Sequence, residues 1–161
     1  MANFLPRSPK GYVVELGAGT GAITAALLGR GIPADRILPI ERSEALVKLL
    51  RRRFPSLNIV LGDATELGFL LKTLLPKDAP EISYVVSSLP LRSLPEKVVT
   101  SILREVHNVL PKHGKLVQYT YDVRKTPHRS MSGFKRCQTA VVWANIPPAR
   151  VNVFEKIDAG H

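Results

Sequence analysis

The 161 residues suffice for one hydrophobic core and fall short of two, and a hydrophobic fraction of 45% excludes global disorder. A formal net charge of +10 favours polyanionic partners, either nucleic acid or a membrane surface rich in acidic lipids. The single cysteine, Cys137, excludes an internal disulfide and suits a reducing, cytoplasmic setting; His107, His113, His128 and His161 lack ligand spacing, so no metal is expected.

Met1 to Lys10 carries no apolar h-region, so no secretory signal is expected there. Tyr12 to Leu16 predicts a central strand. Thr20 to Arg30, with Ile23, Ala26 and Leu27 at helical spacing, predicts a helix that stops at Gly29 and Gly31. Ile37 to Ile40 predicts a second strand. Ser43 then caps a helix whose Leu46, Leu50 and Phe54 lie four apart, with Lys48 and Arg51 to Arg53 on its wet side and Pro55 at its end. Leu57 to Leu61 predicts a third strand, followed by a helix from Thr65 to Leu75 that Pro76 stops. This stretch holds the longest apolar run, broken by Lys72. Nothing approaches the ~18 apolar residues of a spanning helix, so membrane contact is expected to be peripheral.

Ile82 to Val86 predicts strand four. Ser93-Leu94-Pro95-Glu96 reads as a capping box, with Ser93 as N-cap and Glu96 at the third helical position. The helix it opens is expected to turn Val98, Val99, Ile102, Val106 and Val109 inwards. Pro111 to Gly114 turns into strand five, Leu116 to Tyr121. Asp122 to Ser132 is basic and without periodicity, and reads as a mobile loop. Gly133-Phe134 introduces a run through Ala140, Val141, Val142 and Trp143, and Val151 to Phe154 makes another; they read as two strands joined across Asn145-Ile146-Pro147-Pro148. Strands alternating with helices predict a parallel sheet covered on both faces. The expected fold is α/β, a mostly parallel seven-stranded sheet with a C-terminal antiparallel hairpin, in one domain over residues 1–161.

Glu15-Leu16-Gly17-Ala18-Gly19-Thr20-Gly21 leaves the first strand and opens the first helix, at the end of the sheet where open α/β folds bind ligands. Glycine there allows a tight turn and sets a ligand against bare backbone at the positive start of a helix. Gly17, Gly19 and Ala22 also satisfy the looser dinucleotide pattern, so a nicotinamide-cofactor domain is the alternative. Three acids distinguish the two. Glu15 sits two residues before the first glycine, where a dinucleotide strand has little use for a charge. Glu41 lies twenty residues after Gly21, placed to accept from both ribose hydroxyls. Gly62-Asp63-Ala64 ends strand three, where an acid can meet an adenine amino group.

From about Gly11 to Tyr121 the sequence thus resembles the class I, Rossmann-like S-adenosylmethionine (SAM) dependent methyltransferases. The resemblance implies SAM as cofactor. It assigns the loop of Glu15, Gly17, Ala18, Gly19, Thr20 and Gly21 to the methionine part, Glu41 and Arg42 to the ribose, and Gly62, Asp63 and Ala64 to the adenine. Ser87, Ser88 and Leu89, after strand four, complete the expected cofactor site.

The loop after strand four also carries the acceptor signal. Enzymes that methylate the exocyclic amine of a base resemble one another in an Asn or Asp followed by Pro and an aromatic, which hold and stack the base. Ser88-Leu89-Pro90-Leu91 keeps the proline and lacks both other parts. Asn145-Ile146-Pro147-Pro148 is similar only superficially, because it follows strand six and an Ile interrupts it. The combination of Ser87-Ser88-Leu89-Pro90-Leu91, Leu94-Pro95, Gln118-Tyr119-Thr120-Tyr121 and Trp143-Ala144-Asn145-Ile146-Pro147-Pro148-Ala149 resembles the bacterial phospholipid N-methyltransferases. That resemblance covers almost the whole chain and implies methylation of an aminophospholipid such as phosphatidylethanolamine at the membrane surface.

Tyr121, Tyr119 and Ser88 are the candidate catalytic residues. Tyr119 and Tyr121 share one face of strand five, where an aromatic can hold a methylated ammonium, or they are ordinary strand residues. Lys112, Lys115, Arg124, Lys125, Arg129, Lys135, Arg136 and Arg150 outnumber Asp122 between Pro111 and Phe154, which suits lipid phosphates or a solvated loop. Only some ten residues precede strand one, so the family's N-terminal lid is expected to be short or missing. Besides the amino-lipid enzyme, an rRNA adenine dimethyltransferase-like enzyme and a SAM-binding module without catalysis stand as alternatives.

Overall fold

The computed structural model describes residues 2–120, 131–142 and 149–157. In chain order these form β1 (Tyr12–Leu16), α1 (Ala22–Gly29), β2 (Ile37–Glu41), α2 (Glu44–Arg53), β3 (Val60–Leu61), α3 (Leu67–Leu74), β4 (Ile82–Ser87), α4 (Glu96–Val109), β5 (Lys115–Thr120), β6 (Phe134–Val142) and β7 (Ala149–Lys156). The strands make one sheet in the order β3-β2-β1-β4-β5-β7-β6. β1 to β5 pair in parallel, and β7 runs antiparallel to both β5 and β6. This is the Rossmann-like sheet with an antiparallel C-terminal pair that the alternation predicts. Strand order reverses between β1 and β4, so the ligand crevice lies beyond the carboxyl end of β1.

β1 reads as an unbroken apolar run because both faces of a central parallel strand are covered. Val14 and Leu16 face a core built with Leu67 and Leu71 of α3 and with Val99, Ile102, Leu103 and Val106 of α4. Val13 faces the other core, with Leu27 of α1 and Val47 and Leu50 of α2. Full burial of each large aliphatic side chain on α4 contributes roughly 1.5–3 kcal/mol, enough to fix the helix on the sheet without help from its cap.

That cap differs from the expectation. The helix starts at Glu96 with Pro95 as N-cap and no side-chain cap bond, and the Ser93 amide donates to Pro90 O at 2.8 Å. Pro95 explains this: a residue before proline avoids the α region, so Leu94 cannot serve as the first helical residue after Ser93. Glu96 instead lies in the first turn, where its charge complements the helix dipole. Val98 and Val109, expected inside, are only partly buried, and Leu103 takes a core position instead.

Other boundaries shift for local reasons. β3 spans only Val60–Leu61, because the Leu57 amide turns back to Phe54 O and the Ile59 amide to Leu57 O. α1 begins two residues late, at Ala22, after the glycine loop. The first turn of the expected helix at Thr65 is a 3-10 turn, Ala64–Glu66, capped by Asp63. Tyr121, the expected last residue of β5, lies outside the described residues, as do most of the expected loop from Asp122 and the connection at Asn145 to Pro148.

The N-terminal stretch packs although no sequence pattern predicts it. Ala2 and Leu5 are buried, and Arg30 Nε donates to Leu5 O at 2.7 Å. Arg30 follows the last turn of α1, so these residues sit at the end of that helix remote from the glycine loop, some 12 Å away at 1.5 Å per residue. Among the described residues, no helix is long and apolar enough to cross a membrane.

Candidate active site

The glycine loop is pinned from three sides. Gly17 and Ala18 amides both donate to Ile40 O of β2, at 2.9 and 3.3 Å, and the Gly21 amide closes the turn onto Ala18 O. Arg53, on the expected wet face of α2, donates from Nη1 to Thr20 O at 2.7 Å. Gly17 has φ +72°, and a Cβ there would lie 2.6 Å from Leu89 Cδ2, so the loop and the segment after β4 approach through a missing side chain. Gly19 differs: φ is +58°, and a Cβ would meet nothing nearer than 3.9 Å. Its bare backbone faces open space.

The three acids converge on this loop from adjacent strand ends. Glu41, the last residue of β2, accepts from the Gly19 amide at 3.0 Å through Oε2 and from the Ser43 amide at 2.8 Å through Oε1. Each oxygen keeps a second lone pair for a ligand. Asp63 accepts from the Thr65 amide and hydroxyl, both at 2.8 Å, through Oδ1, while Arg42 Nη1 stands 3.8 Å from Oδ2. The Thr65 amide holds the Asp63 carboxyl below the usual range, so it is anionic at neutral pH. Gly62 is fastened by its amide to Glu41 O at 3.1 Å, and Ala64 begins the 3-10 turn that Asp63 caps.

Glu15 is fully buried, 0% exposed. Thr24 of α1 donates its hydroxyl to Oε2 at 2.6 Å, whereas Oε1 has no partner among the described residues. Burial pushes the carboxyl up to about 7, against the Thr24 bonds that lower it, and the charge of Glu41 adds to the rise. The α1 N-terminus above it has no side-chain cap, which leaves backbone donors at its positive end. An orphaned buried acid, an uncapped helix start and an open glycine backbone together fit the ammonium, carboxylate and sulfonium groups of SAM.

On the other side of the crevice, Ser88 follows β4. Its hydroxyl donates to Gly17 O at 2.6 Å and its amide to Leu16 O at 3.2 Å, so this expected catalytic residue ties the two loops together. Ser87 is buried, and its hydroxyl accepts from the Leu89 amide at 3.3 Å. Tyr119 lies half-buried on β5, packed against the α1 and α2 core. The expected pairing of Tyr119 with Tyr121 rests on a residue outside the described ones. A polar side chain not singled out from the sequence stands here as well. Gln118, next to Ser87 in the β4–β5 ladder, is 6% exposed and donates from Nε2 to Leu89 O at 3.0 Å and Tyr119 O at 2.8 Å. Its signal was an amide interrupting the apolar run from Leu116 to Tyr119.

Comparison with known proteins agrees with this geometry. A family model described as a methyltransferase domain matches residues 13–114. The chain is 36% identical over 111 residues to an ornithine lipid N-methyltransferase of Singulisphaera acidiphila, a match covering 67% of this chain and 56% of that one. It is 38% identical over 87 residues to a probable ribosomal RNA small subunit methyltransferase A of Halobacterium salinarum, covering 50% of this chain and 26% of that one. The chain therefore spans about half of the first relative's length and a quarter of the second's. Among solved structures, a TehB-like SAM-dependent methyltransferase from Corynebacterium glutamicum superposes with a TM-score of 0.68 at 18% identity, covering 96% of this chain and 84% of that one. The loop, the three acids, the sheet order and the family match converge: the chain belongs to the class I SAM-dependent methyltransferases, with SAM as its cofactor.

Proposed function

We propose that this chain transfers the methyl group of SAM to the amine of a membrane amino lipid, an aminophospholipid such as phosphatidylethanolamine or a lipid of similar headgroup, working peripherally at the membrane surface. Bound SAM supplies an electrophilic methyl: the lone pair of a neutral amine forms the C–N bond as the C–S bond breaks, sulfur keeps the electron pair, and the product ammonium releases a proton to water. The chain's own residues bind, orient and exclude water. In this reading the Gly17–Gly21 loop and the α1 N-terminus hold the methionine carboxylate, and Glu15 answers the cationic groups. Glu41 with Arg42 flanks the ribose, and Gly62-Asp63-Ala64 the adenine. Ser88 and Leu89 border the acceptor, and Tyr119 and Tyr121 offer aromatic faces to its ammonium.

One observation carries the choice of acceptor. Where a base-methylating enzyme needs an amide and an aromatic after β4, this chain has Ser88 committed to Gly17 O, Leu89 packed on Gly17 and Leu91 buried. A segment of this kind suits an aliphatic amine and itself lacks the amide and the aromatic that hold a base. The name of the Singulisphaera relative supports the same reading. The ribosomal RNA relative and the +10 charge favour the second reading, an RNA base methyltransferase.

The test offers labelled SAM with phosphatidylethanolamine vesicles, ornithine-lipid vesicles and total RNA in parallel. Label in either lipid supports the proposal. Label in RNA alone overturns it, and SAM binding without transfer to any of the three favours a module that binds the cofactor only.

A further inference from the structure

Gln118 presents a hydrogen-bonding problem that the fold does not solve. Its amide is oriented without ambiguity, because Nε2 meets two carbonyl oxygens, Leu89 O at 3.0 Å and Tyr119 O at 2.8 Å, and an exchange of nitrogen and oxygen would set acceptor against acceptor. Oε1 is thereby fixed, buried, and without a donor among the described residues. A buried acceptor left unpaired costs roughly 1–3 kcal/mol, and native structures keep few such groups. Nor does the strand require it. A methionine or leucine would fill the same space beside Leu116 without an orphaned acceptor, giving up only the two Nε2 bonds.

The position is informative. Gln118 pairs with Ser87, the last residue of β4, and its Nε2 holds the carbonyl of Leu89, the residue that packs on the glycine loop. The unpaired oxygen belongs to an amide at the carboxyl ends of β4 and β5, on the side of the Leu89 segment away from the cofactor loop. We propose that Gln118 Oε1 accepts a hydrogen bond from an N–H of the acceptor amine, holding the nitrogen while its lone pair remains directed at the methyl group. This rests on the amino-lipid reading above and adds a specificity element to it.

The chemistry makes the role unequal across successive methylations. A neutral primary amine has two N–H groups and a monomethylated one has one, so both can donate to Oε1 while attacking. A dimethylated neutral amine has none. Gln118 therefore assists the first and second transfers and not the third, a pattern that a merely structural residue would not produce.

The experiment compares wild type with Gln118→Met, presenting vesicles of phosphatidylethanolamine and of its mono- and dimethylated forms. Gln118→Met should lower kcat/KM for the first two lipids by roughly 10- to 100-fold and leave the third within about 3-fold, with SAM affinity by calorimetry unchanged. A binding readout accompanies activity. With S-adenosylhomocysteine bound, affinity for a short-chain unmethylated lipid should fall in the variant, and affinity for the trimethylated lipid should not. Gln118→Asn, which keeps an amide and withdraws it by one methylene, should show the same pattern more weakly and serves if Gln118→Met does not fold. Equal losses on all three lipids, or no loss on any, would overturn the role of Oε1. A wild-type chain that methylates neither these lipids nor ornithine lipid overturns the amino-lipid reading itself, and the inference with it.

Discussion

Replacing Glu15 by glutamine keeps the shape of a side chain with no exposed surface and removes its ability to ionise. The consequence follows from linkage. Burial raises the Glu15 carboxyl from 4.5 to about 7, so between those values the folded chain holds a proton that the unfolded chain has already lost. Folding stability must then fall as pH rises through that window, with no penalty below it and the full penalty above about 7. A shift of about 2.5 units at ~1.36 kcal/mol each makes the penalty on the order of 3 kcal/mol. This is a sizeable part of the ~5–15 kcal/mol that a domain has in total.

The glutamine variant keeps a carbonyl to accept from Thr24 and never ionises. Urea denaturation at pH 5 and pH 8, without ligand, measures both proteins. The other carboxylates contribute equally to each, including Asp63, whose lowered value works in the opposite sense, so the difference between the two profiles isolates Glu15. Relative to wild type, Glu15→Gln should gain roughly 3 kcal/mol on going from pH 5 to pH 8. Profiles that stay parallel within about 0.5 kcal/mol would show that Glu15 ionises normally in the folded chain, and the reasoning from its burial would be wrong.

Two further outcomes are expected from the site's geometry. Glu41→Ala and Asp63→Ala each remove hydrogen-bond acceptors beside the cofactor, worth ~1–3 kcal/mol, so SAM affinity by calorimetry should drop roughly 5- to 150-fold in each; undiminished affinity in both refutes the assigned site. Gly17→Ala forces a side chain into a left-handed backbone and against Leu89 Cδ2, so its urea midpoint should fall by the equivalent of ~1–3 kcal/mol, and an unchanged midpoint would mean that the two loops can part freely.

How much was legible from sequence divides along the range of the interactions. β1, the glycine loop and the Ser43 cap, which accepts from the Leu46 amide at 3.4 Å, depend on neighbours in the chain and were read correctly. The Ser93 capping box failed although it is equally local. Pro95 keeps Leu94 out of the α region, so the residues of the box cannot open a helix at Ser93. β3 was overextended for the opposite reason: Leu57 and Ile59 are buried like strand residues but hydrogen-bond as turns, and apolar spacing reports burial rather than pairing. The positions of Glu41 and Asp63 could be counted along the sequence. The attachment of Glu41 to Gly19 could not, nor could the closure of Ser88 onto Gly17, because |i−j| of 22 and 71 leaves no local trace. Gln118 falls in the same class. An amide in an apolar strand was visible, but one of its two acceptors, Leu89 O, follows a different strand.

The distribution of charge resolves an apparent conflict between cofactor and partner. The chain has a net charge of +10, yet three of its acids, Glu15, Glu41 and Asp63, gather at the carboxyl ends of β1 to β3. Glu41 even raises the cost of ionising Glu15. Glu15 and Glu41 repel one another when both are ionised, and a cation placed beside them offsets that repulsion. SAM is such a cation at its sulfonium and ammonium. Of the basic residues, Arg42 stands beside Asp63, while Arg51 to Arg53 on α2 and Lys135 and Arg136 on β6 are exposed. Two of the α2 arginines already serve the fold, since Arg51 donates to Ile59 O and Arg53 to Thr20 O. A guanidinium that fastens a loop through neutral carbonyls keeps its charge, so both still contribute to the positive field of the chain. Acids gathered at the strand ends thus give a cationic cofactor a locally negative site within a chain of opposite net charge.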